Sequence, residues 1–291
     1  MREQNGPLRE RIGRLLGTRV DDLDDLGSSH SWTLHRATLD DGRAVFVKAA
    51  DHQAGVFAAE AAGLRWLAEA GPGTPVPDVL AVDGHMLVLP WLRSASSTPE
   101  TAERFGRELA VLHTGSRPDA YGAPWEGFIA DLPLDNTVDR GDDWPRWYAE
   151  RRLEPFLRRA SRHLSGADVH LIERVITDIG ELAGPSEPPS RIHGDLWSGN
   201  ILWTDGRALL IDPAAHGGHR ETDLAMLALF GTPQLDRVLA AYDETAPLPD
   251  GWRRRIPLHQ LHPLLVHMAL FGGSYRSATL KAARAALAAV T

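Results

Sequence analysis

The run His193-Gly194-Asp195-Leu196-Trp197-Ser198-Gly199-Asn200, followed by Ile211-Asp212-Pro213, holds three oxygen-bearing side chains at spacings that suit one reaction. Moving a phosphoryl group from ATP to a hydroxyl needs a carboxylate beside the attacking oxygen. It also needs hard oxygen ligands for the Mg²⁺ that rides on the phosphates. A loop Asp followed five residues later by Asn, with a second Asp beyond a short hairpin, is the kinase-type solution. Asp195 and Asn200 have that spacing, and Asp212 lies twelve residues beyond Asn200. Asp195 is therefore expected as catalytic base, with Asn200 and Asp212 as metal ligands. Singly, each would read as a turn former or a strand-end cap. The ordered set is what points to chemistry.

Two partners stand upstream. Lys48 ends the strand-like run Val45-Phe46-Val47-Lys48, where an ammonium can reach phosphate oxygens. Glu60 lies among alanines on the following helical segment, placed to hold that ammonium as an ion pair. Of 31 basic side chains only Lys48 and Lys281 are Lys, and a Lys kept in an Arg-rich chain fits a site needing a compact ammonium. Lys281 reads as a solvated exception. Ser28 and Ser29, within Gly27–Ser31, are expected in a loop ahead of the first strand, their amides and hydroxyls cradling phosphate. Residues 86–92 occupy an interlobe hinge position, so Leu89, Trp91 and Leu92 are expected near the adenine.

The elements that must hold these groups follow from pattern. Residues 7–16 read as a helix closed by Gly17. Residues 31–39 and 43–50 read as a hairpin about Asp41-Gly42, and 78–92 as a second about Asp83-Gly84. Between them, Phe57, Ala61, Leu64 and Leu67 recur with helical period. Beyond Ser97 helical periods take over: 99–114, 144–164, 167–183, 221–230, 233–242, 253–271 and 275–289. One β segment, 191–214, interrupts them with short strands around Thr204-Asp205-Gly206. The expected fold is α+β with two lobes in protein-kinase-like order: 1–92 covering the nucleotide, 93–291 carrying the catalytic loop and acceptor site.

Composition narrows the classes further. The 291 residues are 43% hydrophobic and 24% charged, with a formal net charge of −8 and no cysteine. That disfavours nucleic acid or an anionic membrane as partner and excludes disulfide, thiolate and cysteine–metal chemistry. No window is apolar enough to span a membrane, and the N-terminal segment lacks a signal-peptide core. A cytoplasmic monomer is expected.

On these residues the chain resembles the fructosamine kinase (ketosamine 3-kinase) family, within the aminoglycoside phosphotransferase-like fold. The Trp197 that follows His193–Leu196 is the most distinctive match. The resemblance continues through Asp212-Pro213-Ala214, Gly218–Met226, Leu229-Phe230-Gly231 and 261–275. It implies that Asp223 is a buried carboxylate bracing the catalytic loop, with His193 and Trp197 as support. It also implies ATP and Mg²⁺ as cofactors, and a ketosamine (glycated lysine or glycated protein) phosphorylated on its 3-hydroxyl, with the amine freed afterwards. Two features depart from the pattern: Pro90 in the hinge and residues 214–221 after Asp212.

Other signals compete. His216 and His219 follow Asp212 and are placed to touch the acceptor or to sit in a surface loop. Trp125, Trp144 and Trp147 are candidates to wall the acceptor cleft. Asp131, Asp135, Asp139, Asp142 and Asp143 could ring a cationic acceptor, the alternative of an aminoglycoside- or choline-type kinase. A non-catalytic ATP-binding scaffold is disfavoured by the intact set Lys48, Asp195, Asn200 and Asp212. His259, His262 and His267 share one helix but not one face, which disfavours zinc. Arg151, Arg152, Arg158, Arg159 and Arg162 read as a solvated helix face.

Overall fold

The computed structural model describes residues 5–52 and 55–289. The chain begins with α1 (Asn5–Leu16), β1 (Val20–Ser29), β2 (Trp32–Leu39), β3 (Ala44–Ala49), α2 (Gly55–Ala68), β4 (Ala81–Val82) and β5 (Met86–Pro90). The strands form one antiparallel sheet in the order β1-β2-β3-β5-β4. Successive side chains of a strand point to opposite faces. Val45, Val47, Met86 and Val88 accordingly pack with Ile12 of α1, while Leu87 and Leu89 pack with Phe57, Ala61 and Leu64 of α2. Lys48 follows Val47, so the alternation turns it toward α2.

Gly27–Ser31 is not a loop ahead of the first strand. Ser28 pairs with Thr33 and Ser29 with Trp32 at the end of β1, and His30-Ser31 is the tip of the β1–β2 hairpin. β1 is a sheet-edge strand whose only buried side chains are Val20 and Leu23, so it carries no alternating apolar signal.

The helical lobe runs through α3 (Pro99–Thr114), β6 (Gly127–Ile129), β7 (Leu132–Leu134), α4 (Trp144–Tyr148) and α5 (Glu154–Ala160). A π turn, Ala149–Leu153, joins α4 to α5. There follow α6 (Gly166–Thr177), α7 (Ile179–Leu182), β8 (Ser190–Ile192), β9 (Ile201–Thr204), β10 (Arg207–Leu210), β11 (His216–Gly218), α8 (Arg220–Leu229), α9 (Leu235–Thr245), α10 (Trp252–Phe271) and α11 (Arg276–Ala288). α10 is packed against α5, α8 and α11 and buries Leu258, Leu261, Leu264, Leu265 and Met268. Among the described residues no helix is long and apolar enough to cross a membrane.

Candidate active site

The catalytic loop connects β8 to β9 and lies at the floor of the cleft between the lobes. Its shape depends on Gly194, at a φ of +81°, where a Cβ would come 2.3 Å from the Ala214 oxygen. Only glycine fits there. The buried Asp223, near the start of α8, accepts the His193 N–H at 2.7 Å and the Gly194 N–H at 2.9 Å. His113 of α3 lies 3.1 Å from the same carboxylate, and Tyr242 of α9 lies 2.9 Å from the other His113 nitrogen. Burial raises the Asp223 pKa, but His113 and these N–H groups outweigh it and hold it below the ordinary value. The bracing role that the resemblance implied for Asp223 therefore has a geometry.

His193 ties the loop to the next element. Its Nε2 lies 2.9 Å from the Ile211 carbonyl, and its Nδ1 accepts the Asp195 N–H at 3.3 Å. Burial lowers its pKa, so the ring is neutral, with Nε2–H donating to the carbonyl.

The β9–β10 hairpin returns the chain to its starting point, since Ile211 N donates to the Asn200 carbonyl at 3.0 Å. Twelve residues of sequence separation thereby collapse, and Asp212 arrives beside Asn200. Asp212 sits at a φ of +57°, an uncommon angle for a residue with a Cβ and typical of functional sites. Asn200 Nδ2 donates to the Asp195 carbonyl at 2.8 Å and to its Oδ2 at 3.0 Å. With Nδ2 so engaged, Asn200 Oδ1 remains as an acceptor. Lys48 Nζ donates to both Glu60 oxygens, at 3.0 and 2.8 Å, and to Asp212 Oδ1 at 2.5 Å.

Burial disfavours every charge here, and the neighbours decide the outcome. Lys48 is held above its ordinary pKa because Glu60 and Asp212 outweigh its desolvation. Burial, helped by Asp212 and opposed by Lys48, pushes Glu60 up to about 7. Burial also raises Asp195 to about 7; Asp212 and Asp223 add to the shift and the Asn200 hydrogen bond opposes it. A carboxylate poised there suits proton transfer near neutral pH.

Asp195, Asn200, Asp212, Lys48 and Glu60 line one cavity of about 210 Å³. Its remaining wall is mostly apolar and aromatic: Trp32, Phe128, Trp197, His267, Leu270 and Phe271. Trp197 lies flat against Gly199, where a Cβ would come 2.3 Å from the indole, which explains a glycine at that point of the motif. Phe128 and Phe271 escaped the sequence reading. One sits in a hairpin of three-residue strands and the other at the end of a helix, and neither position carries a chemical signature.

Ser29 lines the cavity with His30, whereas Ser28 is exposed and does not. Leu89 is buried between the sheet and α2. Trp91 donates its N–H to the Ala44 carbonyl at 3.1 Å, so that group is not free to read an adenine edge. Neither Leu89, Trp91 nor Leu92 reaches the cavity around Asp195. His216 and His219 do not line this cavity, and both are buried rather than in a surface loop; His216 Nδ1 lies 2.8 Å from the Ala214 carbonyl. Trp144 and Trp147 are core residues, and Trp125 packs edge-on to Trp66 at 5.6 Å. Arg152 is 1% exposed rather than solvated; its guanidinium lies 4.4 Å over Trp147 and donates to the Asp135 carbonyl and to Asn136 Oδ1.

The comparisons with known proteins agree with the geometry. The fructosamine kinase family model matches residues 26–289. A probable ketoamine kinase of Thermus thermophilus is 35% identical over 242 residues, 83% of this chain and 86% of that protein. The crystal structure of a Thermobifida fusca protein assigned as a fructosamine-3-kinase superposes with a TM-score of 0.93 at 52% identity, covering 97% and 98% of the two chains. A macrolide 2′-phosphotransferase shares the fold at a TM-score of 0.65 and 19% identity, over 97% of each chain. The chain belongs to the fructosamine kinase family.

Proposed function

We propose that the chain transfers the γ-phosphoryl group of ATP to the 3-hydroxyl of a ketosamine. The observation that carries this reading is the convergence of Lys48–Glu60, Asp195–Asn200 and Asp212 on one cavity with an aromatic acceptor-side wall. Asp195 orients the acceptor hydroxyl and takes its proton as the oxygen attacks the γ-phosphorus. The bond to the β-phosphate oxygen breaks, and ADP leaves with that electron pair. Lys48, held by Glu60, meets the phosphate oxygens. Asn200 Oδ1 and the Asp212 carboxylate are the hard oxygen donors that would hold Mg²⁺, which when bound neutralises charge on the phosphates.

The alternative of a polycationic acceptor needs free carboxylates in the cavity. The five candidate aspartates do not line it, and three have other partners. Asp135 pairs with Arg151 at 3.0 Å, Asp139 pairs with Arg146 at 3.0 Å, and Asp143 caps α4. Trp197 and Phe271 instead offer flat apolar surface to a sugar and its amine substituent. In this reading the ketosamine is a glycated lysine, free or protein-bound, and its phosphate ester then decomposes to free the amine.

A coupled assay of ADP release, offering fructosyl-lysine, ribulosyl-lysine and an aminoglycoside in parallel, tests this. Turnover is expected with a glycated lysine and not with the aminoglycoside. The reverse preference, or turnover with neither, overturns it.

A further inference from the structure

α2 carries Glu60 on the sheet side but ends inside the other lobe. Phe57, Ala61 and Leu64 lie in the core between sheet and helix, whereas Leu67 and Ala70 join the core formed by residues of α3, α8 and α9. The junction is held by Arg191 of β8, two residues before His193 and only 6% exposed. Its Nε donates to the Ser116 carbonyl at 2.7 Å, and its Nη1 to the Trp66 carbonyl at 2.6 Å. The Trp66 carbonyl is among the last four of α2, which lack the regular i+4 donor; besides Arg191 it accepts only a long 3.3 Å bond from the Glu69 N–H. A cation there also meets the negative end of the helix dipole.

The same guanidinium lies 4.5 Å over the Trp66 ring and reaches Glu69 at 3.3 Å. Two close approaches reinforce it. Ser116 N donates to the Ala70 carbonyl at 3.2 Å. A Cβ on Gly63 would come 3.1 Å from Ala215, three residues past Asp212.

We propose that Arg191 is a positioning residue. By tying the end of α2 to the strand that leads into the catalytic loop, it sets Glu60, and through it Lys48, against Asp195 and Asp212. The proposal rests on the phosphoryl-transfer reading above. A planar fork is required, because two carbonyls, a carboxylate and an indole face must be met from different directions by one group. With α2 pinned at its far end, Glu60 is held against the Lys48 ammonium, 2.8 Å away.

Mg-ATP is titrated into wild type, Arg191→Met, Glu60→Gln and the double variant, each below its own melting temperature. Arg191→Met is expected to weaken binding about tenfold, and the double variant to bind little worse than Glu60→Gln alone, because residues acting through one another are non-additive. Arg191→Lys should behave like Arg191→Met. A residue with a merely structural role would lower the melting temperature while leaving the affinity of the folded protein unchanged. That result, or losses that multiply in the double variant, overturns the proposal. Failure of the wild type to bind Mg-ATP would overturn the phosphoryl-transfer reading and this one with it.

Discussion

Two groups of polar side chains lie near the loop between β8 and β9. On the cleft side stand Lys48, Glu60, Asp195, Asn200 and Asp212. Behind the loop His216, His219, His259 and His262 are packed among Trp144, Trp147, Tyr148 and Phe156, with ring centroids of Trp144 and His259 4.9 Å apart and of Phe156 and His262 5.0 Å apart. Apart from the part-exposed Asp212, both groups are largely desolvated. They differ in what answers the desolvation. In the cleft, burial raises Glu60 and Asp195 to about 7, with Asp212 adding to both shifts and Lys48 opposing that of Glu60, and all five side chains line the cavity. In the back cluster three histidines lose their charge instead: burial holds His216 and His262 well below their ordinary value and lowers His219 to about 3. One residue set keeps polar groups on the cavity, and the other is converted into packing material.

The back cluster also holds three groups that could pass for a metal site. His219, Glu221 and His259 bring their ligand atoms within 4.8 Å of one another. Arg255, however, donates to both Glu221 oxygens, at 2.9 and 2.5 Å. Burial raises the Glu221 pKa, but His259 and Arg255 outweigh it and bring it to about 2. The carboxylate is already spoken for by a cation.

If the two regions are separable, Trp147→Ala should cost about 3–5 kcal/mol of stability, the usual loss for a buried aromatic, because it also strips Arg152 of its aromatic face. Urea unfolding measures that loss, and the folded fraction should still bind Mg-ATP as wild type does. A change of affinity would show that the back cluster reaches into the cleft. Conversely, Lys48→Arg should lose about tenfold or more in kcat/KM, a barrier of about 1.4 kcal/mol, because a guanidinium is too wide for the space shared by Glu60 and Asp212. Lys281→Arg, on an exposed face of α11, should change neither kinetics nor melting temperature. Equal activity in both variants would make Lys48 an accident of composition.

Acid should find the back cluster. The unfolded chain protonates its imidazoles near pH 6.5, whereas the folded chain leaves His216, His219 and His262 neutral. Below pH 6.5 the unfolded state therefore binds more protons, and stability falls with pH by up to about 1.4 kcal/mol per pH unit for each such residue. Above that pH the contribution is complete. Urea unfolding at pH 7 and pH 5 checks it in a Glu60→Gln, Asp195→Asn background, because those two carboxyls take up protons in the fold over the same range and offset the loss; a stability that stays flat or rises toward pH 5 in that background would mean that the imidazoles charge inside the fold.

Much of the cleft was legible because its logic is local. Alternation along β3 turns Lys48 toward α2, and helical period puts Glu60 on the facing helix. The spacing of Asp195, Asn200 and Asp212 encodes a hairpin. What escaped depends on distant or weakly patterned segments. β1 is polar and solvent-facing along most of its length, and β6, β7, β8 and β11 have three residues each. A regular helix over 144–164 would place Arg152 on a solvated face. The π turn at Ala149–Leu153 shifts the register and turns that side chain inward. The aromatic wall joins residues from both lobes that no spacing relates.

In the proposed reaction the cleft group, and Asp195 within it, performs the transfer. Single-turnover transfer from labelled ATP to fructosyl-lysine, compared between wild type and Asp195→Asn, tests it most directly. The amide keeps the shape and the Asn200 contact but accepts no proton. Transfer should slow by about 10²–10⁴-fold, the usual contribution of a positioned base, with Mg-ATP affinity and melting temperature no lower than wild type. A variant that retained more than about a tenth of the wild-type rate, well outside that range, would contradict it.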